Sequence, residues 1–222
     1  RQSGGAINNV SITNQGTFQA DMDGQTLLID VAAFDNRNGG LLRATGSNTN
    51  PLGGVLRIAV NGPVKNTGGT IEALNKGRLE AVFARIEGGL VKNNGGYIDL
   101  NGMTLVNPGT GMRLEGEHTL GLPTTQQEAR LVGDIENTGL LRIEGGTYPS
   151  RLWISENVSG VVTPVTLRGG GEIRLGDPAN TARPGQLWDG LDEGFSTRKL
   201  TNVDNLIHGF GRIGNTIYEP WL

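Results

Sequence analysis

One phrase of five residues returns along this chain, and its return limits the fold more than any other feature. It reads glycine, any residue, apolar, polar, apolar: Gly16-Thr17-Phe18-Gln19-Ala20, Gly40-Leu41-Leu42-Arg43-Ala44, Gly69-Thr70-Ile71-Glu72-Ala73, Gly96-Tyr97-Ile98-Asp99-Leu100, Gly139-Leu140-Leu141-Arg142-Ile143 and Gly171-Glu172-Ile173-Arg174-Leu175. The apolar residues stand two apart, so on a strand each pair shares one side and the residue between them faces water. A five-residue strand cannot bury a core alone. Equivalent strands stacked in parallel at roughly 4.8 Å can, because their apolar pairs line up as interior columns.

The glycines recur after 24, 29 and 27 residues, then after 43 and 32. This spacing predicts an all-β chain folded as a right-handed parallel β-helix, a solenoid of about eight coils, with wider coils and insertions after residue 100. Similar units at Gly54-Val55-Leu56-Arg57-Ile58 and Gly77-Arg78-Leu79-Glu80-Ala81 read as further faces of the same coils. Tight turns must join the strands. The composition supplies them: 37 glycines and twenty asparagines, both tolerant of positive φ. Asn14, Asn38, Asn66, Asn94 and Asn137 stand shortly before a repeated glycine, where an asparagine either turns left-handed or bonds to the asparagine of the next coil. A β-sandwich would also show short, evenly spaced strands, but its strands need not repeat one phrase in one phase.

Charge and composition exclude several functions. The 19 basic and 22 acidic residues are interspersed without a basic cluster, so no nucleic-acid partner is expected. No apolar run approaches the length of a membrane helix, and no membrane insertion is expected. Without cysteine there are no disulfides and no thiolate metal site, and neither a metal nor a cofactor is expected. Thr125-Gln126-Gln127-Glu128-Ala129-Arg130 is the one stretch that reads as a helical turn.

Three longer phrases carry a family likeness: Thr13-Asn14-Gln15-Gly16-Thr17-Phe18-Gln19-Ala20, Asn66-Thr67-Gly68-Gly69-Thr70-Ile71-Glu72-Ala73-Leu74, and the run from Leu200 to Asn215. In these the chain resembles the β-strand-repeat regions of large bacterial surface and secreted proteins, in the style of autotransporter passengers and filamentous-haemagglutinin-like adhesins. The resemblance implies a parallel β-helix, export to the cell surface or medium, and a role as a structural shaft or adhesive surface, without catalysis. On that reading residues 1–222 form one module of a longer tandem-repeat protein. Its partners are neighbouring modules and a cell-surface or extracellular glycan. Residues 176–198 and the stretch from Tyr218 to Leu222 depart from the pattern.

The alternative is a polysaccharide lyase or glycoside hydrolase, since parallel β-helices host both. Asp21 and Asp23 would share a strand face at a separation suited to paired carboxylates, although a solvated turn is the simpler reading. Asp-x-Asp-Gly there resembles the start of a calcium loop, but the residues that follow lack the remaining acidic ligands. Glu115, Glu117 and His118 are the one acid-plus-imidazole grouping, and are expected to be surface charges. No catalytic residue is assigned. For ligand contact, the candidates are Trp188, Asp189, Asp192 and Phe195, in the stretch that leaves the repeat. There an indole can stack on a sugar and a carboxylate can bond hydroxyls; alternatively the two aromatics fold inward as a plug.

Overall fold

The computed structural model describes residues 10–47, 52–121, 127–145, 148–154, 156–158, 161–177, 185–188 and 199–214. In chain order the first nine strands are β1 (Ser11–Asn14), β2 (Thr17–Ala20), β3 (Thr26–Val31), β4 (Ala33–Asn36), β5 (Leu41–Ala44), β6 (Val55–Val60), β7 (Val64–Lys65), β8 (Thr70–Leu74) and β9 (Arg78–Ala81). Then come β10 (Arg85–Glu87), β11 (Gly89–Asn94), β12 (Tyr97–Ile98), β13 (Thr104–Val106), β14 (Met112–Glu115), β15 (Glu117–Leu120), β16 (Gln127–Asn137) and β17 (Leu140–Ile143). The last are β18 (Ser150–Trp153), β19 (Glu156–Val158), β20 (Val161–Thr163), β21 (Val165–Arg168), β22 (Glu172–Leu175), β23 (Gly185–Trp188), β24 (Leu200–Asn202), β25 (Leu206–Gly209) and β26 (Gly211–Ile213). The chain is all-β, and no helix forms among the described residues. Gln127–Arg130, read from sequence as a helical turn, is strand.

Nearly all pairing among the described residues is parallel; up to β14 each strand pairs with the third one after it, and around β16 and the antiparallel pair that follows it the step becomes two or five. A first ladder runs β1, β4, β7, β10, β13, β16, β18, β23, β26. A second runs β2, β5, β8, β11, β14, the later half of β16, β21, β24. A third runs β3, β6, β9, β12 and then β15, β17, β22, β25, its halves joined at the parallel bridge Asp99↔Thr119. The one antiparallel strand pair among the described residues, β19 with β20, is inserted before β21.

Alternation within each strand builds the interior. Leu42, Ala44, Ile71, Ala73, Ile98, Leu100, Leu141, Ile143 and Ile173 are all fully buried, in the facing expected from the repeat. Phe18, near the first level, is only partly covered and meets Phe34 edge-on at 5.7 Å. The interior also takes polar groups: Gln127 and Ser150, in register with each other, and His118 are each 0% exposed.

Four details differ from the sequence reading. The copies opening at Gly16, Gly40 and Gly69 lie in the second ladder, whereas those opening at Gly96, Gly139 and Gly171 lie in the third, so the six are not one column. The longer excursions begin after Ile143 rather than residue 100: Glu117 still pairs with Leu140, but Leu140 pairs with Glu172 and Glu172 with Leu206. Glu72 and Asp99, expected in solvent, are 8% and 6% exposed, because Arg43 and Arg78 lie across them. Burial raises the Asp99 pKa, against the lowering effect of the Asn101 N–H and Arg78.

The repeated glycines also have a different cause from the one composition suggested. At Gly40 and Gly69 φ is ordinary; what matters is space, since a Cβ would stand 2.4 Å from the Asn14 carbonyl oxygen and 2.3 Å from that of Asn36. These glycines let consecutive levels close at the corner between the first and second ladders. The asparagines there are buried and bonded along the stack: Asn14 Nδ2 donates to Asn36 Oδ1 at 2.8 Å, and Asn36 Nδ2 to Asn66 Oδ1 at 2.7 Å. Asn36 is the middle rung, not Asn38. Asn38 takes the other course open to it and turns left-handed at φ 52°. Lower in the stack Asn137 Nδ2 donates to Asn205 Oδ1 at 2.9 Å.

Candidate functional site

The corner between the third and first ladders is built differently. A groove of about 700 Å³ opens there, lined by segments that precede or belong to four consecutive first-ladder strands, β10, β13, β16 and β18. Its aromatic members are Phe83 and Trp153, and its polar ones include Asn101, Glu128 and Arg130. At about 4.8 Å per level, the stretch from β10 to β18 is roughly 14 Å along the stack.

Phe83 is the most unusual residue of the groove. Its side chain is 89% exposed and its backbone stands at φ 52°. A bulky residue in the left-handed region is strained, and an exposed phenyl gains little burial to offset it. Gly102, at φ 74°, lies against it: a Cβ there would be 3.1 Å from the Phe83 nitrogen. Next to Gly102, the Asn101 Oδ1 accepts from the Glu128 N–H at 3.1 Å, and the Gly102 N–H donates to the Glu128 carbonyl at 2.8 Å. Two levels are thereby tied together at the groove floor, with Phe83 of the preceding level lying against Gly102.

The opposite wall belongs to the outward residues of β16 and β18. Arg130 and Trp153 are register partners, and the Arg130 guanidinium lies over the indole at 5.2 Å. Glu128 pairs with Arg151 at 3.4 Å, and Arg151 in turn lies 4.5 Å from the Trp188 ring. Glu128 is the one carboxylate among the lining residues.

The ligand-contact residues expected from sequence fare unequally. Trp188 ends β23 and packs edge-on against Trp153 at 6.3 Å, with 6% exposure, so it presents no open face for a sugar. Alternation places it on the outer side of the strand, beyond the interior Leu187, so it is an external plug rather than an internal one. Asp189, Asp192 and Phe195 lie outside the described residues, as does Trp221.

The acidic candidates do not converge. Asp23 accepts from the N–H and hydroxyl of Ser47, which hold its pKa below the usual carboxylate value, while Asp21 accepts from Gln19 Nε2 at 3.1 Å. Both carboxylates are thus engaged at a turn. Glu115 meets Arg113 at 2.9 Å and Glu117 meets Arg142 at 2.7 Å, on the outer surface. His118, expected there too, instead points inward. Its Nε2–H donates to the Glu115 carbonyl at 3.1 Å, and burial lowers its pKa to about 4, so the ring is neutral at pH 7. Among the described residues no group of three or more His, Cys, Asp or Glu comes together to hold a metal.

The groove was hidden from sequence reasoning because its members lie on levels some twenty residues apart. Phe83 alone left a trace: it sits in an apolar run, Ala81-Val82-Phe83-Ala84, where the link between two strands would ordinarily be polar. Comparison with known proteins returns no matching family model, no matching curated protein and no matching solved structure.

Proposed function

We propose that the chain is a right-handed parallel β-helix and serves as a non-catalytic shaft or adhesive module of a large bacterial secreted or cell-surface protein. The observation that carries this reading is the pairing rule itself: each strand meets the third one after it, in register, through most of the described chain. Such a rule winds the backbone through three faces per level, and parallel crossovers of this kind are right-handed in nearly all proteins. A stack whose levels touch only their neighbours extends by repetition, which suits a shaft.

The outer faces support the same reading. Opposite charges meet at neighbouring levels, as in Arg43 with Glu72 at 2.9 Å, Arg57 with Glu80, and Arg168 with Asp134 at 2.9 Å. The exposed pair Arg168–Asp134 adds little stability. Such pairs leave faces without a strong field of either sign. Against the hydrolase reading, the groove lining offers one carboxylate where glycoside hydrolysis uses two, and Asp21 and Asp23 are engaged at a turn.

Two measurements test the proposal. Spin labels at Gln19 and Thr201, seven second-ladder levels apart, should lie roughly 34 Å apart by pulsed electron resonance, whereas a closed barrel would bring them much nearer. In cells carrying the parent gene, an epitope in this module should be cleaved by protease added outside, and in-frame deletion of the module should reduce attachment. An epitope protected on intact cells, or release of cleaved products from a polysaccharide panel by the purified chain, overturns the functional reading.

A further inference from the structure

We propose that the groove at the third corner binds an acidic oligosaccharide, seating a pyranose ring on Phe83 and a sugar carboxylate on Arg130, whose guanidinium Trp153 backs. The inference rests on the reading of the module as a non-catalytic surface element, and it places the glycan contact away from Trp188.

Three independent observations meet in this groove. The first is Arg130. Ten other arginines, on all three faces, each form an ion pair with a carboxylate. Arg130 forms none among the described residues, and its guanidinium lies instead against the Trp153 ring at 5.2 Å. A guanidinium placed over a ring rather than on a carboxylate keeps its N–H fork for a ligand, and that fork matches a carboxylate with two parallel hydrogen bonds. The neighbouring Glu128 does not repel such a ligand strongly, because Arg151 sits 3.4 Å from it.

The second observation is Phe83. A left-handed phenylalanine that is 89% exposed lowers stability without filling any core, so its position is better explained by something that covers the ring. The third is the shape. A groove of about 700 Å³ spanning several levels suits an extended chain of rings rather than one compact molecule. The exposed Phe83 ring supplies an apolar face for stacking, and the guanidinium supplies the charge that separates acidic from neutral sugars.

The test uses hexasaccharides of hyaluronan, of polymannuronate and of polygalacturonate, each beside its carboxyl-reduced counterpart, with a sulfated, carboxyl-free hexasaccharide as a further arm. Calorimetry on the whole chain should find at least one uronate bound with Kd below 1 mM, a value chosen as roughly the weakest specific binding worth assigning. Its carboxyl-reduced form should bind at least about tenfold more weakly, the equivalent of one lost charge-assisted bond. Arg130→Gln should weaken the uronate by a similar factor and leave the reduced form unchanged. Phe83→Gly should weaken both while the melting temperature holds or rises, which separates loss of a ligand contact from loss of folding.

Absence of binding by all three uronates overturns the proposal. So does equal affinity for acid and reduced forms, equal affinity for the sulfated sugar, or indifference to Arg130→Gln. Recovery of the oligosaccharides distinguishes the two readings. Sugar bound but cleaved would refute the non-catalytic reading and keep the site, whereas sugar intact but unbound would refute the site and keep the shaft.

Discussion

The corner between the first and second ladders and the corner between the third and first belong to the same stack and have opposite chemistry. At the former, glycines press against carbonyls of the level above and buried asparagines bond rung to rung. At the latter, a phenylalanine occupies the conformation that a glycine would take without strain, and the wall stands open as a groove. One corner spends its unusual residues on holding levels together. The other places them at the surface where a ligand can reach them. Between these two, the corner leading into the third ladder is tied at one level by His118 and further along by the Asn137–Asn205 rung.

The largest loss should follow closure of the space at the tied corner. Gly69→Ala puts a Cβ 2.3 Å from the Asn36 carbonyl oxygen, which is backbone and cannot swing aside. A cost of about 3–5 kcal/mol is expected, lowering the melting temperature by on the order of 10 °C. A variant that melts with the parent would show that the corner is slack and that the contrast between corners is one of sequence alone.

The tie at His118 should fail with acid. Its folded-state pKa of about 4 lies below the unfolded value of 6.5, so the unfolded chain takes up a proton first. Stability from this group is complete above pH 6.5, falls as pH drops towards 4, and changes no further below that. The shift corresponds to about 3 kcal/mol. Urea titrations between pH 7 and pH 4 should record this loss, and His118→Gln should flatten that part of the profile; an unchanged slope would place the imidazole in solvent.

Removing the middle rung, Asn36→Ala, leaves a buried donor on Asn14 and a buried acceptor on Asn66 without partners. A loss of about 2–3 kcal/mol is expected in denaturant. Smallest, and opposite in sign, is Phe83→Gly at the open corner. Relief of the left-handed strain should raise stability by about 1 kcal/mol, less whatever the phenyl contributes to packing. Destabilisation by this change would mean that Phe83 supports the stack and that both corners do the same work.

Much of the tied corner was legible in the sequence and almost none of the open one. The period-two alternation in Leu42/Ala44 or Ile71/Ala73 declares its facing within five residues, because strand geometry is local. The ladder to which each unit belongs is not local. Gly69-Thr70-Ile71 and Gly96-Tyr97-Ile98 read alike, yet they open strands on different faces, since both corners need the same absence of a side chain. Glu72 and Asp99 looked solvated because the arginines that cover them come from other levels. The groove gathers Phe83, Asn101, Arg130 and Trp153 from four levels, and no short window contains two of them. The weight placed on Trp188 was misdirected for a related reason: its departure from the repeat was visible, but its packing against Trp153 was not.

The antiparallel pair of β19 and β20 enters and leaves the stack without disturbing it: β16 pairs with β21 in register across the excursion, and β17 pairs with β22 just beyond. Foreign residues spliced between Val158 and Val161 should therefore be carried as cargo, because the pairs β16–β21 and β17–β22 close past them and the host folds as before.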